Sequence, residues 1–354
     1  MGVLRLLLAL SVLFDHQGAS ALLMGPGGEI SVQCFYIISG FYIALVLDRT
    51  YRSNAVFWAN RALRLFPSYW AVAAVTLVIW LVLPTNLWTE FSVLPNIDRA
   101  FVAVSNFALV GQDWFNFLGF RHGHLALVKD FQDSDFPFYN LLLVPPAWSL
   151  GVELSFYALA PFILRRGWAT LLGCLLMSLG LRFLLSRAGL DHNPWTYRFF
   201  PSELATFLTG SAAYRVYCMV QPRLSRHKWL ARAITLLVWS VVACMGLLQI
   251  DASQKRVLAL VLIASALPFL SEASRASRLD RFLGDLSYPI YICHWTVIRL
   301  VNRLLEPQPA MARIAATVVI VFAVSIALKL CIDGPIESSR ARLRSRSNMG
   351  RRQP

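Results

Sequence analysis

Three polar side chains stand in apolar stretches where charge is costly and therefore points to function: Arg5, His16 and Glu153. Arg5 and His16 are eleven residues apart, which on a helix puts them within about 20° of one face and about 16.5 Å apart along the axis. An imidazole in that setting is a candidate general base, or a transient acyl carrier. Glu153 lies about 10 Å inward from the outer end of its own apolar stretch, at a depth similar to His16. A carboxylate there would fix the imidazole tautomer and stabilise the imidazolium. The same two residues also describe a structural buried pair joining two helices, and spacing alone does not choose.

A second constellation is Arg61-x-x-Arg64, an i, i+3 pair that presents two guanidiniums on one helical face and could grip phosphates. It also reads as ordinary charge flanking a membrane span. His294 sits in the apolar run Tyr288-Pro289-Ile290-Tyr291-Ile292-Cys293-His294-Trp295, where it and Tyr291 are either wall of a site or a hydrogen-bonded helix contact. Arg182, Glu203 and Arg299 are further buried-charge candidates without a role. His122 and His124 lack a third ligand at helical spacing and are read as loop residues, so no metal is expected. The six cysteines lie in or beside apolar runs and include no CxxC pair, so they are read as small hydrophobes.

The elements that must position these residues follow from composition. The chain has 354 residues, 57% hydrophobic and only 15% charged, with a mean hydropathy of +0.57; soluble domains are about a quarter charged. A water-facing globule is excluded. Apolar stretches long enough for a hydrocarbon layer about 30 Å thick run over 3–18, 30–47, 68–84, 146–164, 168–186, 199–218, 231–250, 256–271, 285–303 and 311–332. The expected fold is an all-α polytopic bundle of about ten transmembrane helices, spanning 1–335, followed by a basic tail, 336–354, expected to be disordered.

The net charge of +14 sorts by loop. Arginines follow every even-numbered span, including Arg165 and Arg166, Arg275, Arg278 and Arg281, and the tail from Arg340 onward, while the opposite loops are poorer. By the positive-inside rule both termini are cytoplasmic, and the charge carries no case for nucleic-acid binding. The first span also resembles a signal peptide ending at Ala19-Ser20-Ala21, but Asp15 and His16 sit awkwardly at the end of such a segment, so retention is expected. The long outer segment, 85–145, mixes aromatics such as Trp88, Trp114 and Tyr139 with Asp113, Asp130, Asp133 and Asp135; this is an interfacial belt or a sugar-binding surface.

Taken together, these residues resemble the membrane acyltransferase-3 family. The likeness rests on Arg5 and His16 as the family's Arg-x10-His, on Phe35-Tyr36-Ile37-Ile38-Ser39-Gly40-Phe41, and on Arg61-x-x-Arg64 within Asn60 to Trp70. It continues through Trp148-Ser149-Leu150-Gly151-Val152-Glu153 with Phe156-Tyr157, Leu286 to Tyr291 with His294, and Gly334-Pro335-Ile336-Glu337. It covers nearly the whole chain. Asp15 beside the histidine departs from the family pattern, as does Leu154 where relatives often carry a second polar residue.

The resemblance implies an O-acetyltransferase of the inner membrane that moves an acyl group, usually acetyl, from cytoplasmic acetyl-CoA to a hydroxyl of a carbohydrate such as a surface polysaccharide. It makes His16 the base or acyl carrier with Glu153 as partner. Arg61 and Arg64 become binders of the coenzyme's phosphates, and Arg5, Ser39, Tyr291 and His294 residues of the substrate path. No hydrolase-like outer domain is expected, so acceptor chemistry is expected from the membrane unit alone or with a partner protein. The rival is a transporter in which His16, Glu153 and Arg182 relay protons; no half-chain repeat supports it. Acceptor identity, acyl length and oligomeric state are not legible in the sequence.

Overall fold

The computed structural model of the chain describes residues 1–83, 86–121, 124–134 and 136–349. It is a helical bundle. The helices are α1 (Gly2–His16), α2 (Ala21–Met24), α3 (Gly28–Arg49), α4 (Asn54–Val82), α5 (Asn86–Val93), α6 (Asn96–Ala108), α7 (Trp148–Leu164), α8 (Trp168–Arg187), α9 (Phe200–Arg226), α10 (Lys228–Cys244), α11 (Ala252–Ser274), α12 (Arg278–Leu304), α13 (Ala310–Leu328) and α14 (Gly334–Met349). A three-stranded antiparallel sheet, β1 (Leu118–Arg121), β2 (His124–Leu127) and β3 (Phe136–Pro137), in the order β2-β1-β3, sits in the long loop before α7.

Over the described residues each apolar stretch of the sequence falls mainly within a helix. Among the described residues, seven helical segments are long and apolar enough to cross a membrane: 21–49, 54–82, 145–164, 168–187, 228–247, 252–274 and 310–344. The stretches outside this set belong to α1, which has only 15 residues, and to α9 and α12, whose apolar runs are broken by polar and charged groups that the bundle buries. Large apolar side chains such as Val75, Val78 and Leu81 on α4 and Leu176, Met177 and Phe183 on α8 are exposed, as lipid-facing surfaces require.

Two glycine crossings hold the centre together. A Cβ on Gly40 of α3 would lie 1.9 Å from the Phe207 carbonyl oxygen of α9, and one on Gly210 would lie 1.8 Å from that of Ile37, so these helices touch backbone to backbone. At the other crossing, a Cβ on Gly284 of α12 would lie 2.8 Å from Gly2 Cα of α1. Asp280 seals that end of α1: its carboxylate accepts from the Met1 ammonium at 2.8 Å and from the Gly2 and Val3 amides at 2.7 and 3.0 Å. A carboxylate there satisfies orphan amides and complements the helix dipole.

The tail was expected to be disordered, and part of it is described. Over Gly334–Met349 it is helical, continuing from α13 through a π-helical segment, Lys329–Asp333. Two of its arginines pair within the helix, since Glu337 accepts from both Arg340 and Arg344; the i, i+3 pairing of Glu337 and Arg340 supports a helix that bare composition would not predict.

Candidate active site

α1 and α12 run parallel and bring together two histidines. His16 Nδ1 lies 2.9 Å from His294 Nε2, the rings stack with centroids 5.1 Å apart and 9° between planes, and the edge of Trp295 closes on His16. The hydrogen-bond chain fixes the tautomers. His294 Nδ1 lies 2.7 Å from the Tyr291 carbonyl oxygen. A carbonyl only accepts, so His294 Nδ1 carries a proton and, in the neutral ring, Nε2 presents a lone pair. His16 must then donate from Nδ1, which leaves its Nε2 unprotonated. This is the form a general base needs, and the side chain that orients it is an imidazole.

Glu153 is placed elsewhere. Its Oε1 accepts from Ser39 Oγ at 2.6 Å and from the Tyr157 hydroxyl. The expected His16–Glu153 pair is thus replaced by a His16–His294 pair and a separate Glu153–Ser39–Tyr157 cluster. Geometry explains the difference: Glu153 and Tyr157 are one turn apart on α7 and meet directly, and His294 is one turn beyond Tyr291 on α12, which places it against α1. The Tyr291 hydroxyl in turn meets Ser149 Oγ at 2.7 Å and donates to the Pro146 carbonyl at 3.1 Å, tying α12 to the start of α7.

Tyr291 and Glu153 line a cavity of about 840 Å³, together with Arg5, Ser39, Arg61 and Arg64. Six of the eight site residues read from the sequence therefore share one chamber. His16 and His294 lie past Tyr291, outside the chamber's lining. The chamber is basic: besides the three arginines named, Arg275, Arg281, Lys329, Arg340 and Arg344 line it, against five acids, Glu153, Asp280, Asp285, Asp333 and Glu337. Reading by loop assigned Arg275, Arg281, Arg340 and Arg344 to topology alone; nothing local in the sequence marks them as facing one chamber.

Asn60 organises part of this wall. Its Oδ1 accepts from Arg61 at 3.0 Å and from Arg340 at 3.4 Å, and the Nε of each arginine is buried without a partner among the described residues. Arg64 is 3.8 Å from Asp285, which Lys329 approaches to 3.0 Å. The Arg5 guanidinium has no hydrogen bond or ion pair among the described residues. Buried donors without acceptors are costly, and a phosphate-bearing ligand would satisfy them.

Other candidates resolve differently. Arg182 pairs with Glu203 at 2.6 Å, and Gln33 and Thr206 complete the Glu203 carboxylate; Glu203 is buried, Arg182 partly exposed, and the group ties α3, α8 and α9. Asp15 faces the start of α3, where a Cβ on Gly28 would meet its Oδ2 at 2.6 Å. Arg198, which the sequence reading passed over, is held by Asn116 and Asn193 at 2.7 and 3.0 Å and lies 4.4 Å above the Trp148 ring. Asp113 is buried beside Gly151, and burial lifts its carboxyl to about 6. His122 and Asp135, and the side chains of Trp88, His124 and Asp133, lie outside the described residues. Among the described residues no group of three metal-ligating side chains is assembled.

Comparison with known proteins bears on this geometry. A family model described as an acyltransferase domain matches residues 1–330. The chain is 27% identical over 356 aligned positions to the peptidoglycan O-acetyltransferase OatA of Listeria monocytogenes, covering 90% of this chain and 53% of that protein. It is 24% identical over 333 positions to the O-acetyltransferase OatA of Staphylococcus aureus, covering 84% and 50%. An uncharacterized protein of Aquifex aeolicus is 24% identical over 203 positions, 56% of this chain and 90% of that one. The chain spans about half the length of the two acetyltransferases. No solved structure matches it.

Proposed function

Because the chain belongs to the acyltransferase-3 family, we propose that it is a multi-pass inner-membrane enzyme moving an acyl group, acetyl, from cytoplasmic acetyl-CoA to a carbohydrate hydroxyl. In this reading the bundle has ten spans and cytoplasmic termini. The observation that carries it is the chain Tyr291 carbonyl, His294, His16, which leaves an imidazole nitrogen unprotonated beyond one end of a basic chamber.

The donor's phosphates dock among Arg61, Arg64 and Arg340, and its thin pantetheine arm runs past Arg5 toward Tyr291. At the far end His16 Nε2 takes the proton of the acceptor hydroxyl as its oxygen attacks the thioester carbonyl. The C–S bond breaks, the ester forms, and the proton passes to the departing thiolate. Through His16 Nδ1–H, His294 Nε2 steadies the imidazolium that forms in between. Glu153, held by Ser39 and Tyr157, supplies negative charge to the chamber wall and offsets part of the field of its arginines. Acylation of His16 itself, followed by transfer to the acceptor, uses the same geometry.

A polysaccharide acceptor is favoured by the peptidoglycan acetyltransferase among the relatives. Mass analysis of surface glycans from cells with and without the gene tests it: acetyl groups missing from one glycan identify the acceptor. Unchanged glycan acetylation would remove polysaccharide from this reading.

A further inference from the structure

A second cavity, of about 630 Å³, opens between the C-terminal ends of α3 and α7 and the middle of α9. It shares no lining residue with the larger chamber. α3 forms the partition, with Leu45 and Val46 facing the chamber and Leu47 and Asp48 the second cavity. Five arginines line it, Arg49, Arg52, Arg165, Arg166 and Arg215, against one acid, Asp48.

Three of the arginines are held in place by neutral groups. Arg49 donates to the Tyr214 hydroxyl at 3.1 Å and to Gln221 at 3.3 Å. Arg165 donates to the Tyr51 and Arg52 carbonyls, and Arg215 to those of Leu164 and Arg166. Asp48 accepts from Tyr214 at 2.6 Å. Among the described residues, none of Arg49, Arg165, Arg166 and Arg215 forms an ion pair. The guanidiniums of Arg49, Arg165 and Arg215, fixed around a space whose single lining acid, Asp48, is hydrogen-bonded to Tyr214, make a preorganised anion site, and their planar forks suit phosphate oxygens.

The surroundings are those of a membrane interface. Arg215 lies 5.2 Å over the Trp168 ring, and Trp168, Phe162 and Trp58 are exposed near the same end of the bundle, as aromatic residues at headgroup level are. The positive-inside reading puts this end in the cytoplasmic leaflet, where anionic lipids gather and basic pockets between helices hold their headgroups.

We propose that this cavity binds a phosphate-ester anion, the headgroup of an anionic phospholipid, at a site separate from the donor chamber. The test is native mass spectrometry of the full-length protein with phosphatidylglycerol or phosphatidylcholine, in the wild type and in the R49Q/R215Q double variant. The wild type should retain phosphatidylglycerol with a preference of about tenfold or more, and the double variant should lose it. Displacement of the lipid by millimolar inorganic phosphate would keep the anion site and assign it to a soluble phosphate ester. Arg49 touches only side chains, so R49Q alone, checked by its melting temperature, serves if the Arg215 change prevents folding. No preference for phosphatidylglycerol together with no phosphate binding, or equal retention by a folded variant, would overturn the proposal.

Discussion

His16 Nδ1 and His294 Nε2 lie 2.9 Å apart across 278 residues of sequence, and the Tyr291 carbonyl beneath His294 dictates which of the four ring nitrogens carry protons. In the proposed mechanism the base is oriented by a buried imidazole, where the sequence pointed to a carboxylate.

Replacing His294 therefore has a specific signature. His294→Phe leaves His16 Nδ1–H without its acceptor and frees the ring to rotate or change tautomer, so kcat should fall by about 10² while the KM for acetyl-CoA stays near the wild-type value. His294→Gln, whose amide oxygen can accept from His16, should recover part of that loss. Equal activities for the wild type and the Phe variant would show that His294 merely packs.

The basic chamber makes a different prediction. Arg61→Ala and Arg340→Ala each remove a guanidinium held by Asn60 and should raise the KM for acetyl-CoA, with little effect on kcat. The KM of the wild type should rise with salt, and less steeply in either variant. A rise confined to the acceptor KM would move these arginines out of the donor site.

Asp113 predicts a pH effect on stability. Its carboxyl titrates at about 6 in the folded protein against 3.8 ordinarily. A raised folded value means the contribution is complete below pH 4 and is lost as pH rises through 6, a change of order 2 to 3 kcal/mol. The wild-type melting temperature should decline over that window, and Asp113→Asn should flatten the decline. Parallel curves for the two proteins would remove Asp113 as its source.

The glycine crossing of α3 and α9 is a packing requirement. Gly210→Leu drives a side chain into the Ile37 carbonyl and should destabilise the bundle by about 1 to 3 kcal/mol or prevent its insertion. Gly173→Leu on α8, where a Cβ meets nothing within 4 Å, should be tolerated. Equal melting temperatures for both variants would contradict the close crossing.

Sequence periodicity made the helices legible because apolar runs of membrane length have few other uses. It also put Arg5 and His16 on one face, and Arg61 beside Arg64. What it could not reach was the pairing between helices: nothing in the local run around His294 announces His16. Likewise, Arg275, Arg281 and Arg340 have the same local signature as charges that only orient loops, and only the packed bundle turns them toward one chamber. The described part of the tail was not legible for a related reason. Its Arg/Ser composition reads as disorder, yet Glu337 at the right helical spacing from Arg340 supports a helix.

The central claim is that acyl transfer depends on an unprotonated His16. Purified protein incubated with acetyl-labelled CoA and a hydroxyl acceptor should release free CoA and yield labelled ester, and His16→Ala, folded and inserted, should be slower by about 10² or more. Ester formation by His16→Ala at the wild-type rate would contradict the account.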